Sequence, residues 1–366
     1  VTFAPTSDAS RSTPGPPLLE VTDLHVDFPT KEGVVNAVRG FNLVLERGEV
    51  VGIVGESGSG KSVTSLAMMG LLPRSASTTG SVKVKGIEVL GAKERQLMGL
   101  RGKTISMVFQ DPMSSLNPVY SVGWQIAEAV RAHQEISKAA ANERAVELLR
   151  TVGIPNPAER AGDYPHAFSG GMRQRVVIAI AMANHPEIIL ADEPTTALDV
   201  TVQAQVLESL RTALVETDAA LVLITHDLGV IAGMADRVIV MYAGRAVETG
   251  TVEDIFYRPA MPYTVGLLGS LPRLDRDGER LRPIPGSPPS MLGAPVGCPF
   301  APRCPLRVPE ICDRTEPVLR PVGPQEDGPH AAACHFADDV VAGATGAIFA
   351  ATSADVEVRL DPGRPS

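Results

Sequence analysis

The chain has 366 residues, 44% of them hydrophobic, enough for one large domain or two moderate ones around a substantial core. Its formal net charge of −9 argues against a nucleic-acid binder that relies on a broad basic surface. No apolar run approaches the roughly 18 residues of a spanning helix, and the start of the chain lacks the apolar core of a signal peptide, so the expectation is a cytosolic chain whose membrane role would come through partners.

Residues 1–17, rich in Ser, Thr and Pro, read as a disordered leader. A strand pattern begins at Leu19–Phe28 and continues in Val34–Leu45. Gly48–Val54 reads as a short apolar strand running into a Gly-rich loop, followed by a helix from about Lys61 to Gly70. Val82–Val89 and Thr104–Phe109 are further strand candidates. Val122–Arg131 and Lys138–Val152 have helical spacing and little β-branching, which predicts a mostly helical insert over about 112–184. Ser169 suits the N-cap of a helix through Asn184. Ile188–Ala191 and Leu221–Thr225 are buried-strand candidates flanking a helix over Thr201–Val215. Arg237–Tyr242 and Arg245–Glu248 suggest a hairpin across Ala243-Gly244. Alternating strands and helices predict an α/β core over 18–270. Proline becomes dense beyond about Arg258, the four cysteines fall between Cys298 and Cys334 in a segment 271–337, and 338–366 is weakly patterned enough to read as a flexible tail.

Gly55-Glu56-Ser57-Gly58-Ser59-Gly60-Lys61-Ser62, followed by Val63, matches the phosphate-loop pattern GxxxxGK[ST]. Its glycines let successive N–H groups point at phosphate oxygens, and the following helix adds its N-terminal dipole. Lys61 would reach the β/γ-phosphates and the Ser62 hydroxyl would ligate Mg²⁺. Ile188–Asp192 is an apolar run ending in the carboxylates Asp192 and Glu193, which suits one near Mg²⁺ and one near an attacking water. Taken singly, a strand-end Asp-Glu pair is as readily a solvated pair.

Phe168-Ser169-Gly170-Gly171-Met172-Arg173-Gln174-Arg175 resembles the signature sequence of ABC ATPases, with Phe for the usual Leu and Met for the usual Gln. A serine with two glycines at a helix N-terminus makes a second anion site. The resemblance implies a P-loop ABC ATPase core, a RecA-like mixed sheet with an antiparallel β subdomain and a helical subdomain. It implies two domains paired head-to-tail, with Ser169, Gly170, Gly171 and Met172 covering the γ-phosphate held by the partner. It assigns Gln110 to the Q-loop and, with Ser62 and Asp192, to Mg²⁺. Asp199 falls in the D-loop, Glu193 is the general base, His226 is the switch histidine, and Phe28 offers the aromatic face for adenine. A lone histidine or loop amide is usually just a satisfied polar residue, but these motifs occur together in the family's order.

Cys298, Cys304, Cys312 and Cys334 sit in the proline-rich end. In a reducing cytosol two disulfides are disfavoured, and four thiolates suit a tetrahedral Zn²⁺, an iron–sulfur cluster or no metal at all. The wording from Gly297 to Pro305, and from His330 to His335, resembles the small Cys-rich C-terminal extension of the oligopeptide/dipeptide (peptide/nickel) importer family, D-type subunit, in some members of which a [4Fe–4S] cluster is bound. Asp111-Pro112-Met113-Ser114-Ser115-Leu116-Asn117-Pro118 resembles that branch's sequence near the permease groove. The resemblance implies an ATPase using ATP and Mg²⁺ to power peptide import. Its partners would be a sister ATPase chain, two transmembrane permease subunits and, indirectly, an extracellular solute-binding protein, with the chain peripheral on the cytoplasmic face of the plasma membrane. Nickel or oligosaccharide import is the nearest alternative. A soluble ABC ATPase acting on nucleic acid or ribosomes is disfavoured, since the stretch from Gln110 to Ser169 is too short for a coiled coil and only one phosphate loop occurs.

Overall fold

A computed structural model describes residues 16–270, 284–293, 295–323 and 330–344. The leader expected over 1–17 and the tail expected over 338–366 therefore lie outside the described residues for 1–15 and 345–366.

The chain opens with β1 (Leu19–Thr30) and β2 (Gly33–Leu45), an antiparallel pair with Leu19 opposite Leu45. After β3 (Val50–Val54) and α1 (Lys61–Met68) come β4 (Ser77–Val84) and β5 (Ile87–Glu88), which complete a four-stranded antiparallel sheet in the order β2-β1-β4-β5. Alternation along β1 buries Leu24 and Val26 on one face, where they meet Val38, Phe41 and Val82.

Next come α2 (Glu94–Leu100) and β6 (Ile105–Val108). The insert that follows is helical, as expected: α3 (Pro112–Ser115), α4 (Val122–Arg131), α5 (Lys138–Thr151), α6 (Pro157–Arg160) and α7 (Gly170–Met182). Serine hydroxyls cap three of these helices: Ser121 accepts from Trp124 N–H, Ser137 from Ala140 N–H and Ser169 from Met172 N–H. Helix α7 stops short of Asn184 because His185 turns into the left-handed region (φ 49°).

The remaining core alternates β7 (Ile188–Asp192), α8 (Val200–Thr217), β8 (Ala220–Ile224), α9 (Leu228–Met234), the hairpin β9 (Arg237–Tyr242) and β10 (Arg245–Thr251), then α10 (Val252–Tyr257) and α11 (Pro262–Gly269). Strands β9-β3-β8-β7-β6 run parallel, and β7 and β8 are buried along their whole length, which is why β8 is apolar throughout and β7 is apolar up to its terminal Asp192. Parallel register brings the C-terminal ends of β3, β7 and β8 to one edge, with Ile53 and Asp192 both opposite Ile224.

The segment beyond α11 is built onto this core. After α12 (Pro309–Cys312), the short strands β11 (Arg320–Pro321) and β12 (Ala331–Ala332) extend the large sheet to eight strands, with Ala332 opposite Glu248 of β10. Fully buried Glu248 accepts from Ala260 N–H (2.6 Å) and Met261 N–H (3.2 Å) and pairs with His330 Nε2 at 2.9 Å, which ties the junction together. Of the tail expected from Asp338, residues 338–344 are among those described. Residues Ala337–Asp339 form α13, a π-type turn follows from Val340 and breaks at Gly343, whose backbone is not helical, and Val340 is buried against Val265 and Leu306.

Candidate nucleotide site

The apolar strand β3 delivers the chain into the phosphate loop at the shared strand edge. A Cβ on Gly55 would lie 2.2 Å from Met241 O, and one on Gly60 would lie 2.5 Å from Ala37 O, so both positions need glycine. Both also have positive φ, 155° and 101°. The Lys61 ammonium, almost wholly buried, donates to Gly55 O at 2.8 Å and Glu56 O at 2.9 Å. Burial holds its pKa below the ordinary lysine value, with Glu193, Asp192 and Glu56 opposing. Ser57 and Gly58 are exposed, Ser59 is buried, and Val63 packs against the core beneath.

Ser62 Oγ donates to Asp192 Oδ1 at 3.1 Å, bringing together two of the three expected Mg²⁺ ligands. Asp192 is buried, which pushes its carboxyl above the usual range, with the Ser62 bond opposing and Glu193 reinforcing the rise. A hydroxyl and a carboxylate fit Mg²⁺, a hard cation that takes few protein oxygens and completes its shell with phosphates and water. Gln110, the third expected ligand, instead donates to Glu193 Oε2 at 3.2 Å.

Glu193 collects further partners on that same oxygen. Thr196 Oγ1 donates to Oε2 at 2.7 Å, and His226 Nδ1 lies 3.4 Å away. Glu193 itself is in the left-handed region (φ 46°), its N–H tied to Ile224 O at 2.8 Å, so the carboxylate sits across the strand edge between β7 and β8. Thr196 was not singled out from the sequence. The only hint was a hydroxyl three residues after the acid in a Pro-Thr-Thr turn.

Ser169 and Gly170 are exposed at the start of α7, and among the described residues their side chains and N–H groups make no bond to the phosphate loop of the same chain. Gln174, buried, reaches Phe109 O at 3.2 Å and so fastens the signature helix to the residue before Gln110. Asp199 caps α8 by accepting from Val202 N–H at 2.9 Å. Phe28 is half-buried in the β1–β2 hairpin opposite Val35, its ring against the core of the antiparallel sheet.

The four cysteines, with His335 and Phe336, line one small cavity of about 20 Å³. Burial pushes the Cys298 thiol up to about 11 and Cys304 up to about 12, and raises Cys334 as well, as expected of neutral thiols packed among apolar groups. Among the described residues no set of three or more Cys, His, Asp or Glu side chains stands close enough to hold a metal ion. The cavity has room for about one water. The arrangement as described therefore fits neither zinc nor an iron–sulfur cluster, although all four thiols converge.

Comparison with known proteins places these motifs. The family described as "ABC transporter" matches residues 38–196, and "Oligopeptide/dipeptide transporter, C-terminal region" matches 247–312. The dipeptide transport ATP-binding protein DppD of Bacillus subtilis is 54% identical over 302 residues, covering 82% of this chain and 90% of that protein. The oligopeptide transport ATP-binding protein OppD of Mycobacterium tuberculosis is 57% identical over 320 residues, covering 87% of this chain but 52% of that protein, so the chain spans about half the length of that relative. Among solved structures, the dimeric ATP-binding cassette MJ0796 bound to ADP and phosphate superposes with a TM-score of 0.58 at 28% identity, covering 64% of this chain and 98% of that one. No described helix is long and apolar enough to cross a membrane.

Proposed function

The chain belongs to the ABC transporter ATP-binding proteins of the oligopeptide/dipeptide group, and from that premise we propose that it hydrolyses ATP to drive solute import, with peptides as the cargo class. The observation that carries the proposal is the convergence of Lys61, Ser62, Asp192, Glu193, Gln110 and His226 at one edge of a parallel sheet. Lys61 and the loop N–H groups bind the triphosphate, and Ser62 with Asp192 would hold Mg²⁺, which when bound would supply positive charge against the phosphates. Glu193 orients and polarises the attacking water, while Thr196, Gln110 and His226 fix its carboxylate. Gln110, which donates to Glu193 Oε2, would have to leave that bond to serve as the third Mg²⁺ ligand.

The exposed start of the signature at Ser169 and Gly170 supports a head-to-tail dimer with a sister chain, because it offers an anion site that its own phosphate loop does not use. Dimer closure and reopening would then drive two permease subunits on the cytoplasmic face of the membrane, supplied by a solute-binding protein. An exposed apolar group beside the Q-loop, Met113, Val119 and the stacked Tyr120–Trp124 pair at 4.1 Å, suits the permease contact. The iron–sulfur reading rests on the family resemblance alone, since the described arrangement of the four thiols does not fit a metal. Anaerobic purification with iron and sulfide assays and a visible spectrum tests it, and a colourless, iron-free protein overturns it.

The function is tested by assembling the chain with its sister ATPase and permease in liposomes and measuring phosphate release with and without peptide-loaded binding protein. Peptide-stimulated hydrolysis is expected. Hydrolysis indifferent to peptide but stimulated by nickel or oligosaccharide would move the cargo class, and absence of ATP binding would overturn the proposal.

A further inference from the structure

Glu56, the second residue of the phosphate loop, is held at three points. Its N–H donates to Tyr263 Oη at 2.8 Å, and its carbonyl accepts from Lys61 Nζ at 2.9 Å. Its carboxylate accepts a bidentate pair from Arg303, Nη1 to Oε2 at 2.6 Å and Nη2 to Oε1 at 2.9 Å. The Arg303 side chain is only 5% exposed. It is anchored in turn by Pro285 O, 2.9 Å from Nε, and Tyr242 Oη, 3.3 Å from Nη1. Its guanidinium lies 5.9 Å from the Phe300 ring centroid. Arg303 belongs to the Cys-rich segment, not to the nucleotide motifs.

A carboxylate in a loop that must receive a triphosphate is a like charge beside the ligand, and it weakens binding unless neutralised. A buried guanidinium with no partner is equally unfavourable. Paired in fork geometry, the two cancel, and the pair fixes the orientation of residue 56. The carbonyl of that residue is one of two that hold Lys61. We propose that Arg303 is a positioning residue of the nucleotide site: from the C-terminal extension it neutralises Glu56 and sets the phosphate loop's affinity for ATP. The proposal rests on the ATP-binding reading above. It also gives the extension a part in the ATPase cycle that does not run through the cysteines.

The test uses the full chain in its assembled complex, measuring binding of a fluorescent, non-hydrolysed ATP analogue together with KM and kcat. Arg303→Met is expected to weaken ATP binding about tenfold, the scale of one uncancelled charge near the phosphates, with the loss falling on KM rather than kcat. Glu56→Gln is expected to bind ATP at least as tightly as the wild type, because the guanidinium is then left uncancelled beside the phosphates. The double variant Glu56→Gln/Arg303→Met should recover most of what Arg303→Met loses. If Arg303 were only a scaffold, Glu56→Gln would weaken binding and the double variant would be no better than the worse single one; either result overturns the proposal. Should Arg303→Met fail to fold, the direction of change in Glu56→Gln decides alone. Wild-type protein that binds no ATP defeats the functional reading itself, whereas wild-type binding with weakened Glu56→Gln defeats only this one.

Discussion

Gly171→Ala tests the packing between the signature helix and the D-loop helix. A Cβ at Gly171 would lie 2.1 Å from Val202 Cγ1 and 3.5 Å from Val202 Cβ. Carbon atoms in contact sit at roughly 3.5–4.0 Å, so the overlap with that methyl is about 1.5 Å. Val202 cannot easily turn away, since a β-branched residue in a helix has one strongly preferred rotamer, and its other methyl is already 3.9 Å from the new atom. Helix α8 must therefore move. Overpacking of this kind costs about 1–3 kcal/mol, and a domain of this size loses roughly 2–4 °C of melting temperature per kcal/mol. The displacement passes to Asp199, which caps α8 on the Val202 N–H, and to Ser169, which caps α7. Scanning calorimetry of the chain should show a drop of several degrees, and hydrolysis by the assembled complex should fall by at least about tenfold, the rate equivalent of 1.4 kcal/mol. Val202→Ala in the same chain removes the clashing methyls and should restore much of the stability. A wild-type melting temperature for Gly171→Ala, or a double variant no more stable than the single one, would refute the argument.

Glu193→Gln should retain ATP binding while turnover in the complex falls about 10²–10⁴-fold, the usual contribution of a positioned base; normal turnover would remove Glu193 from that role. Thr196→Val deletes the shortest bond to Glu193 Oε2, 2.7 Å, at nearly constant volume. Hydrogen bonds to charged groups contribute about 1.5–3 kcal/mol, so kcat should drop roughly ten- to a hundredfold with little change in KM, and an unchanged kcat would show that the threonine only shapes the turn. Glu187→Gln tests stability against pH. The Lys85 hydrogen bond, aided by Arg47, holds the Glu187 carboxyl below its ordinary 4.5, so its stabilisation is present above that value and is lost as pH falls through the lower folded one. The variant should melt lower than wild type at pH 7 by about 1 kcal/mol or less, because the partners are half exposed, and the gap should close in acid; a gap that persists there would point to packing instead.

Much of the core was legible because each element carries a local signal. Strands β7, up to Asp192, and β8 are apolar runs buried along their length, and α4 and α5 combine apolar spacing with serine caps. The phosphate loop is legible because its glycines answer local backbone demands at Gly55 and Gly60. Short helices such as α2 and α9, at seven residues each, hold too few turns to show a period. Glu193's surroundings were half legible. The acid and His226 stand at strand ends, but Gln110 lies 83 positions away from Glu193, and its choice of Glu193 over Ser62 and Asp192 is a matter of side-chain geometry.

The proline-rich end was the least legible part, and the reason is physical. Read as composition, a change near Arg258 marks a boundary, and cysteines suggest a unit organised around its own centre. In the fold, Tyr263, Phe300 and Ala333 belong to the same core as Val54, Ala191 and Leu223. Tyr242, Tyr263 and Phe300 pack with ring centroids 4.5 to 5.4 Å apart, and Tyr242 ends a strand of the catalytic sheet. Strand β12 pairs with β10 at Glu248 and Thr249 and so covers the middle of an edge that would otherwise be open for pairing. Such contacts join residues far apart in sequence and leave no local period, so only the fold reveals them. They also mean that the extension cannot be removed without uncovering the sheet edge, the aromatic group and the Arg303–Glu56 pair together. A deletion of the extension would therefore report lost folding, while single substitutions at Arg303 and Glu56 separate its structural share from its influence on the phosphate loop.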